Sequence, residues 1–89
     1  MTEPVLPLQE YPQRAPLKVI GRGAEMDAER MAAIILEHLG PQAEADRRPV
    51  THAKGAYTCH TFWVVLPDAG AEAPLRAALH QLPGVIMQL

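Results

Sequence analysis

Apolar and polar positions at the start of the chain have the periods of a strand followed by a helix. The segment Leu17–Arg22 is apolar and partly β-branched between a proline and a glycine, which favours a short buried strand. From residue 28 to residue 39, apolar positions recur at i, i+3, i+4 and i+7, the spacing of one helix face. Asp27 precedes this stripe as a capping residue, and Gly40 and Pro41 end it. The pattern therefore predicts one strand and one amphipathic helix.

The middle of the chain has the pattern of a β-hairpin. Residues 47–54 alternate loosely, and residues 57–66 are rich in threonine, aromatic and β-branched residues. Gly55 lies between the two arms and marks the turn. Because Pro49 removes a hydrogen-bond donor from the first arm, we expect that arm at the sheet edge and the second arm in the centre.

A second helix and a last strand complete the predicted order. Apolar residues recur at helical spacing from residue 75 to residue 82, and Pro74 lies in the first turn. Pro83 and Gly84 end the helix, and residues 85–89 form the last strand. The order β-α-β-β-α-β predicts a ferredoxin-like α+β fold, with a four-stranded antiparallel sheet and two helices on one face. The core expected between sheet and helices consists of Leu17, Val19, Met31, Ile35, Phe62, Val64, Leu75, Leu79, Leu82 and Val85.

Prolines mark the predicted boundary of the folded domain. Pro4, Pro7 and Pro12 lie within residues 1–15, where their missing amides disfavour a helix interior or a central strand. We therefore expect residues 1–15 to be a proline-rich N-terminal tail. Residues 16–89 then form the ferredoxin-like domain.

Composition excludes several classes of function. Apolar residues make up 48% of the 89 residues and charged residues 20%, as in a globular protein. The net charge of −2 provides no overall attraction to nucleic acid or to an anionic membrane. Cys59 is the only cysteine, which excludes an intrachain disulfide and favours a reducing compartment. Without a membrane-length apolar run or a signal-peptide pattern, we expect a soluble cytoplasmic protein.

Four stretches of the chain carry a family resemblance. They are Tyr11 with Pro12, residues 16–22 (PLKVIGR), Lys54 and Gly55 with Tyr57, and residues 85–89. Together they resemble the YbeD-like family, a group of small bacterial proteins of unknown function. The resemblance implies a ferredoxin-like fold that is similar to allosteric amino-acid-binding domains, and it assigns no catalytic residues. The sequence departs from the family pattern at Ala56, Cys59, Trp63 and Val65.

One face of the predicted sheet is left uncovered by the helices. The family resemblance implies that Phe62, Val64 and Leu66 lie under the helices, and alternation then places Trp63 and Val65 on the opposite face. The hairpin register places the even-numbered residues of the edge arm on the same uncovered face as Trp63, together with the even-numbered residues of the first strand. The residues predicted to bind a ligand or partner there are Lys18, Ile20, Arg22, Arg48, His52, Lys54, Tyr57, Cys59, Trp63 and Val65.

An exposed apolar face of this kind is typical of an interface. Acidic residues concentrate around the predicted helices, so we expect the uncovered face to be basic and aromatic. The sequence favours a non-catalytic regulatory or interaction module that binds a protein partner or a small metabolite, with a weak homodimer through Trp63 as one form of partnership. A proline-rich tail folded over the face would instead make the patch intramolecular.

Anion or single-stranded RNA binding through the basic face is the alternative function. Its cations would be Lys18, Arg22, Arg48 and Lys54. RNA-recognition domains share this strand order, and Lys54 with Gly55 matches the start of their signature. Ala56, Thr58 and Thr61 stand where that signature requires stacking aromatics, so nucleic acid is the less favoured partner.

The residues form no catalytic or metal-binding constellation. The chain contains no serine, and Cys59 lies inside a strand rather than at a helix amino terminus, where the pKa of a thiol falls. His52 lies opposite Cys59 in the hairpin, but two ligands do not make a metal site. His38 and His80 lie on different helices without ligand spacing. We therefore expect no enzyme activity, no metal and no cofactor.

Overall fold

Four strands form one antiparallel sheet in the computed structural model, which describes residues 10–89. The strands are β1 (Gln13–Arg22), β2 (Val50–Lys54), β3 (Tyr57–Leu66) and β4 (Val85–Gln88), in the spatial order β2-β3-β1-β4. The helices are α1 (Ala28–Leu39), a 3₁₀ turn (Glu44–Asp46) and α2 (Glu72–His80). The predicted β-α-β-β-α-β order and ferredoxin-like α+β fold are confirmed, with β2 at an edge and β3 in the centre.

Strand β1 begins at Gln13, earlier than the predicted start at Leu17, and it contains Pro16. The amides of Lys18 and Arg22 both donate to carbonyls on the β4 side. Because peptide groups alternate in direction along a strand, the nitrogen of Pro16 faces the same side. Pro16 precedes the part of β1 that pairs with β4, so the proline removes no hydrogen bond from that ladder. Residues 1–9 of the predicted tail lie outside the described residues.

Helix α1 begins and ends where its sequence predicts. The Asp27 carboxylate accepts hydrogen bonds from the amides of Glu29 and Arg30, at 3.0 and 3.2 Å. These bonds satisfy two amides that the first helical turn leaves without a partner. At the other end Gly40 adopts a φ of 78° and donates its amide to the Leu36 carbonyl. This left-handed backbone conformation ends the helix at little steric cost only for glycine.

The hydrophobic core lies between both helices and one face of the sheet. Leu17, Val19 and Phe62 project from the central strands, and Met31 and Leu79 project from the helices. Each of these five residues is at most 2% exposed. Burial of side chains of this size against one another is the main source of stability in so small a domain.

The predicted core is confirmed except at its rim. Leu82 and Val85 are only partly buried, because they flank the connection from α2 to β4. Met26 is a buried member that the sequence prediction omitted, and Leu66 is buried on the helix side of the sheet, as the family resemblance implies. Met26 lies in the loop before α1, where no periodic pattern reveals it.

Strands β1 and β4 approach each other very closely at Gly21. The register of the two strands shifts next to Gly21, which is buried opposite the α2-to-β4 connection. A Cβ atom at position 21 would overlap the carbonyl oxygen of Gly84. Gly84 itself has a φ of 80°, so glycine is required on both sides of this contact. Within residues 10–89, no helix is long and apolar enough to cross a membrane.

Candidate functional site

The sheet surface opposite the helices, here called the open face, carries its side chains in cross-strand rows. It consists of the even-numbered residues of β1 and β2 and the odd-numbered residues of β3. At the hairpin end, the register places Tyr57 between Lys54 and Arg22. All three are exposed. An aromatic ring with a cation on each side therefore forms this end of the open face.

The second row contains the cysteine of the chain. Cys59 lies between His52 on β2 and Ile20 on β1, and Ile20 in turn lies beside Met87 on β4. The sulfur of Cys59 is 3.8 Å from the hydroxyl of Thr61, which places a neutral group next to the thiol. Within residues 10–89, no group of three or more histidine, cysteine or acidic side chains is placed to hold a metal ion.

The third row is apolar at its ends and basic in its middle. Thr61 lies between Val50 and Lys18, and the backbone of Lys18 exchanges two hydrogen bonds with Leu89. Val50 and Leu89, which follows the end of β4, are 54% and 60% exposed, so both aliphatic side chains face solvent. The open face thus has apolar side chains at both edges of the sheet.

Trp63 is partly covered by Arg14, a residue that the sequence prediction did not assign to the open face. The guanidinium carbon of Arg14 lies 4.5 Å from the centroid of the Trp63 ring, in a cation–π contact. Nη2 of Arg14 also donates to Oδ1 of Asp46 at 2.9 Å. The Asp46 carboxylate therefore holds the cation over the indole, which remains 37% exposed.

The Arg14–Asp46 pair connects the start of β1 to the 3₁₀ turn before β2. The hydrogen bond from Arg14, together with its positive charge, lowers the pKa of the Asp46 carboxyl. The same bond raises the pKa of the Arg14 guanidinium. Arg14 is an even-numbered residue of β1, so its side chain lies on the open face. The sequence prediction did not include Arg14 in that face because its first strand started at Leu17.

The open face is basic although the whole chain carries a net charge of −2. None of the four strands contains an aspartate or a glutamate. Within residues 10–89, the ion pairs involve Arg14 and Arg76, so Lys18, Arg22 and Lys54 have no carboxylate within pairing distance. The acidic residues of the described chain lie instead on the helices and loops.

Arg48 is the predicted site residue that the structure places away from the open face. Strand β2 begins at Val50, so Arg48 precedes the ladder that sets side-chain parity. Its side chain lines a cavity beside the first turn of α1, together with Glu29. The physical reason is Pro49, which lacks the amide needed to extend the ladder. The other nine predicted residues lie on the open face, although Ile20, Cys59 and Val65 are only partly exposed.

Comparison with protein families gives one match. A model described as "Protein of unknown function (DUF493)" covers residues 7–89. The chain belongs to the DUF493 family. This is the YbeD-like family, so the resemblance carried by the sequence is confirmed. Comparisons with curated proteins and with solved structures found no match.

The DUF493 match includes all four strands and both helices. It therefore covers every residue of the open face, and it also covers Asp46 in the 3₁₀ turn. The DUF493 description names no ligand, reaction or partner. The function has to be argued from the chemistry of the surface.

Proposed function

We propose that this protein is a non-catalytic interaction module whose open face docks an acidic protein segment with apolar anchors. The observation that carries the proposal is one surface that combines large exposed apolar side chains with cations that have no ion-pair partner within residues 10–89. The cations are Lys18, Arg22 and Lys54, and Tyr57 with Trp63 provides aromatic area. An exposed apolar patch rimmed by polar groups is typical of a protein interface.

The rows of the open face define the chemistry of such a partner. Tyr57 has Lys54 and Arg22 as neighbours, and Lys18 lies between Thr61 and Leu89, so charge and apolar area alternate over short distances. A segment with carboxylates and apolar side chains in alternation matches this surface. Apolar burial of about 25 cal/mol per Å² provides the affinity, and the charges accelerate association and select the partner.

Single-stranded RNA is also negatively charged, so it is a second candidate partner for the basic open face. Stacking of neighbouring bases requires aromatic side chains close together. Tyr57 and Trp63 are about 20 Å apart along β3, at about 3.3 Å per residue. The ring of Trp63 also already carries Arg14. These distances favour an acidic protein segment over RNA.

A second copy of the chain fits the open face less well than an acidic partner does. A two-fold contact through the face brings Lys18, Arg22 and Lys54 of one copy close to the same cations of the other. Like charges that are brought together in this way oppose association. The weak homodimer expected from the sequence is then a competing state that an acidic partner displaces.

The experiment is a quantitative capture with charge-reversed variants. The immobilised parent is compared with a Lys18→Glu, Lys54→Glu double variant and with Arg30→Glu, a matched reversal on the exposed surface of α1. We expect the parent and Arg30→Glu to capture the same protein, and the open-face variant to lose it. The captured protein should contain an acidic, apolar segment that binds as a synthetic peptide, with affinity that falls as salt is added.

Two results would overturn the proposal. One is capture that the open-face variant retains, because the partner would then use another surface. The other is oligouridine that binds the parent more tightly than the acidic peptide does and loses that binding in the Lys18→Glu, Lys54→Glu variant. Sedimentation of the parent alone over a range of concentrations measures the competing homodimer.

We also propose a cytoplasmic location for the protein. The single cysteine supports this location, because extracellular domains of this size commonly depend on disulfides for stability. Fractionation of cells that express the chain from its own gene tests the location directly. Recovery outside the cytoplasmic fraction would contradict it.

A further inference from the structure

Two adjoining cavities form a groove along helix α1, and neither belongs to the open face. Each has a volume of about 400 Å³. Ala32 and Arg47 line both cavities, so the two lie side by side. One end of the groove lies between the second half of α1 and the loop that follows it. The other end lies between the first turn of α1 and the start of β2.

The first end of the groove is apolar. Ala33 and Leu36 form its wall on the α1 side, Pro41 forms part of the opposite wall, and Phe62 contributes from β3. Leu36 is 54% exposed, so an apolar side chain faces solvent at this point. Asp46 also lines this end, but its carboxylate is engaged by Arg14. The cavity is of the size that small ligands occupy.

The second end of the groove is cationic. Arg47 and Arg48 both line it, and Glu29 lines it from α1. Nε of Arg47 donates to the Gln42 carbonyl at 3.3 Å, which positions the guanidinium group. Within residues 10–89, Arg48 makes no hydrogen bond or ion pair. Two guanidinium groups against one carboxylate leave a net positive charge at this end.

We propose that the groove binds a small amphipathic anion. Its compact apolar group occupies the cavity beside Leu36, and its phosphate or carboxylate group lies between Arg47 and Arg48. An apolar cavity of about 150 Å³ is enough to hold benzene, so the larger cavity here has room for a fused two-ring group. Guanidinium groups bind phosphate and carboxylate through charge-assisted hydrogen bonds. This site is independent of the open face and of the function proposed for it.

The test compares a joined probe with its two halves by isothermal titration calorimetry. The joined probe is 1-naphthyl phosphate, and the halves are 1-naphthol and inorganic phosphate. We expect the joined probe to bind at least roughly tenfold more tightly than either half, because both ends of the groove then contribute to one complex. Comparison with 1-naphthoate determines whether phosphate or carboxylate is preferred.

Five variants separate the two ends of the groove. Arg47→Gln and Arg48→Gln should each weaken the joined probe by roughly tenfold. Arg48→Gln should leave 1-naphthol unchanged, and it is the selective test of the cationic end because Arg47 lines both cavities. Glu29→Gln should strengthen the joined probe, because it removes the opposing charge. Ala33→Leu should fill the apolar end and weaken the joined probe and 1-naphthol alike. Leu36→Gln, at an exposed position, provides a second test of the apolar end if Ala33→Leu alters the fold.

Arg22→Gln is the matched control, because it removes a cation from the open face. Its affinity for the joined probe should equal that of the parent. A loss in Arg22→Gln as large as that in Arg48→Gln would mean that the anion binds cations in general, and this result would overturn the proposal. Absence of measurable binding of the joined probe at millimolar concentration would overturn it as well.

Discussion

The hydroxyl of Thr51 lies 2.9 Å from Nδ1 of His60, across the register of β2 and β3. His60 projects to the core side of the sheet and is only 8% exposed. The other ionisable residues within residues 10–89 are less buried. Burial lowers the pKa of His60, because the imidazolium form loses water when it enters the fold. The hydroxyl of Thr51 is a suitable partner for a neutral ring, since it either donates or accepts.

We expect the free energy of unfolding to fall as the pH falls below about 6.5, the ordinary pKa of histidine. The folded pKa of His60 is lower than the unfolded one, so the unfolded chain binds more protons between the two values. The stabilising contribution is complete above the unfolded pKa and is lost as the pH falls toward the folded one. Urea denaturation at a series of pH values measures the slope.

Two variants isolate His60 in that measurement. His60→Gln should make the free energy of unfolding less dependent on pH between about 6.5 and the folded pKa of His60. His52→Gln, on the exposed side of β2, should retain the slope of the parent. A parent and a His60→Gln variant with equal slopes would show that another group controls stability in this range.

The contact of Arg14 with Trp63 predicts a spectroscopic change. Arg14→Met keeps most of the side-chain length but removes the cation, so the indole should become more accessible to water. We expect the Trp63 emission to shift to the red and its quenching by acrylamide to increase. The loss of stability should be small, as for other exposed ion pairs. Trp63 is the only tryptophan, so the signal is unambiguous.

Arg22→Met is the control for this change, because Arg22 lies beside Tyr57 instead. Asp46→Asn should reproduce part of the Arg14→Met effect, since it releases the guanidinium that the carboxylate holds. The pKa of Asp46 is lowered from 3.8, so acid should produce the same emission shift only below that pH. If Arg14→Met and Asp46→Asn had the same emission spectrum as the control Arg22→Met, that result would contradict the described contact.

Gly21→Ala should weaken the joining of β4 to the sheet. The new methyl group would overlap the Gly84 carbonyl oxygen, and backbone cannot move aside as a flexible side chain does. Overpacking of this kind costs about 1–3 kcal/mol, measured here by thermal melting and by hydrogen exchange of the β4 amides. Gly70→Ala is the control, because its nearest contact is 3.4 Å away and its melting should barely change.

Phe62→Ala tests the centre of the core. Phe62 is 1% exposed, so truncation removes buried area and leaves a cavity, at a loss of about 3–5 kcal/mol. A domain of this size has little stability beyond that amount, and we expect extensive unfolding by circular dichroism. Tyr57→Ala, at an aromatic residue that is 53% exposed on the same strand, should melt close to the parent.

Local rules were sufficient for most of the fold. Alternation correctly separated Phe62, in the core, from Trp63, on the open face, once one of them was assigned a side. The two-residue turn after Lys54 fixed the register, so the pairing of His52 with Cys59 followed from counting. Capping by Asp27 depends only on the neighbouring amides, and it too was predictable.

Two of the errors arose where a distant element decided the outcome. Pro16 ends a strand only if its missing amide would face a neighbouring strand, and this depends on how far β4 extends along β1. The position of Arg14 over Trp63 depends on Asp46, which is remote in sequence. The error at Arg48 was local, because the adjacent Pro49 already indicated that the ladder begins after it.

The position of β1 between β3 and β4 determines how the domain folds. Lys54 meets Tyr57 after a short loop closure, whereas Gln13 meets Leu66 and Val19 meets Gln88 only when most of the domain has come together. The entropy lost in closing such loops precedes the energy gained from the contacts. We therefore expect the β2–β3 hairpin to form early and the docking of β1 to set the rate. Because both remaining ladders depend on β1, the sheet should be completed cooperatively rather than strand by strand.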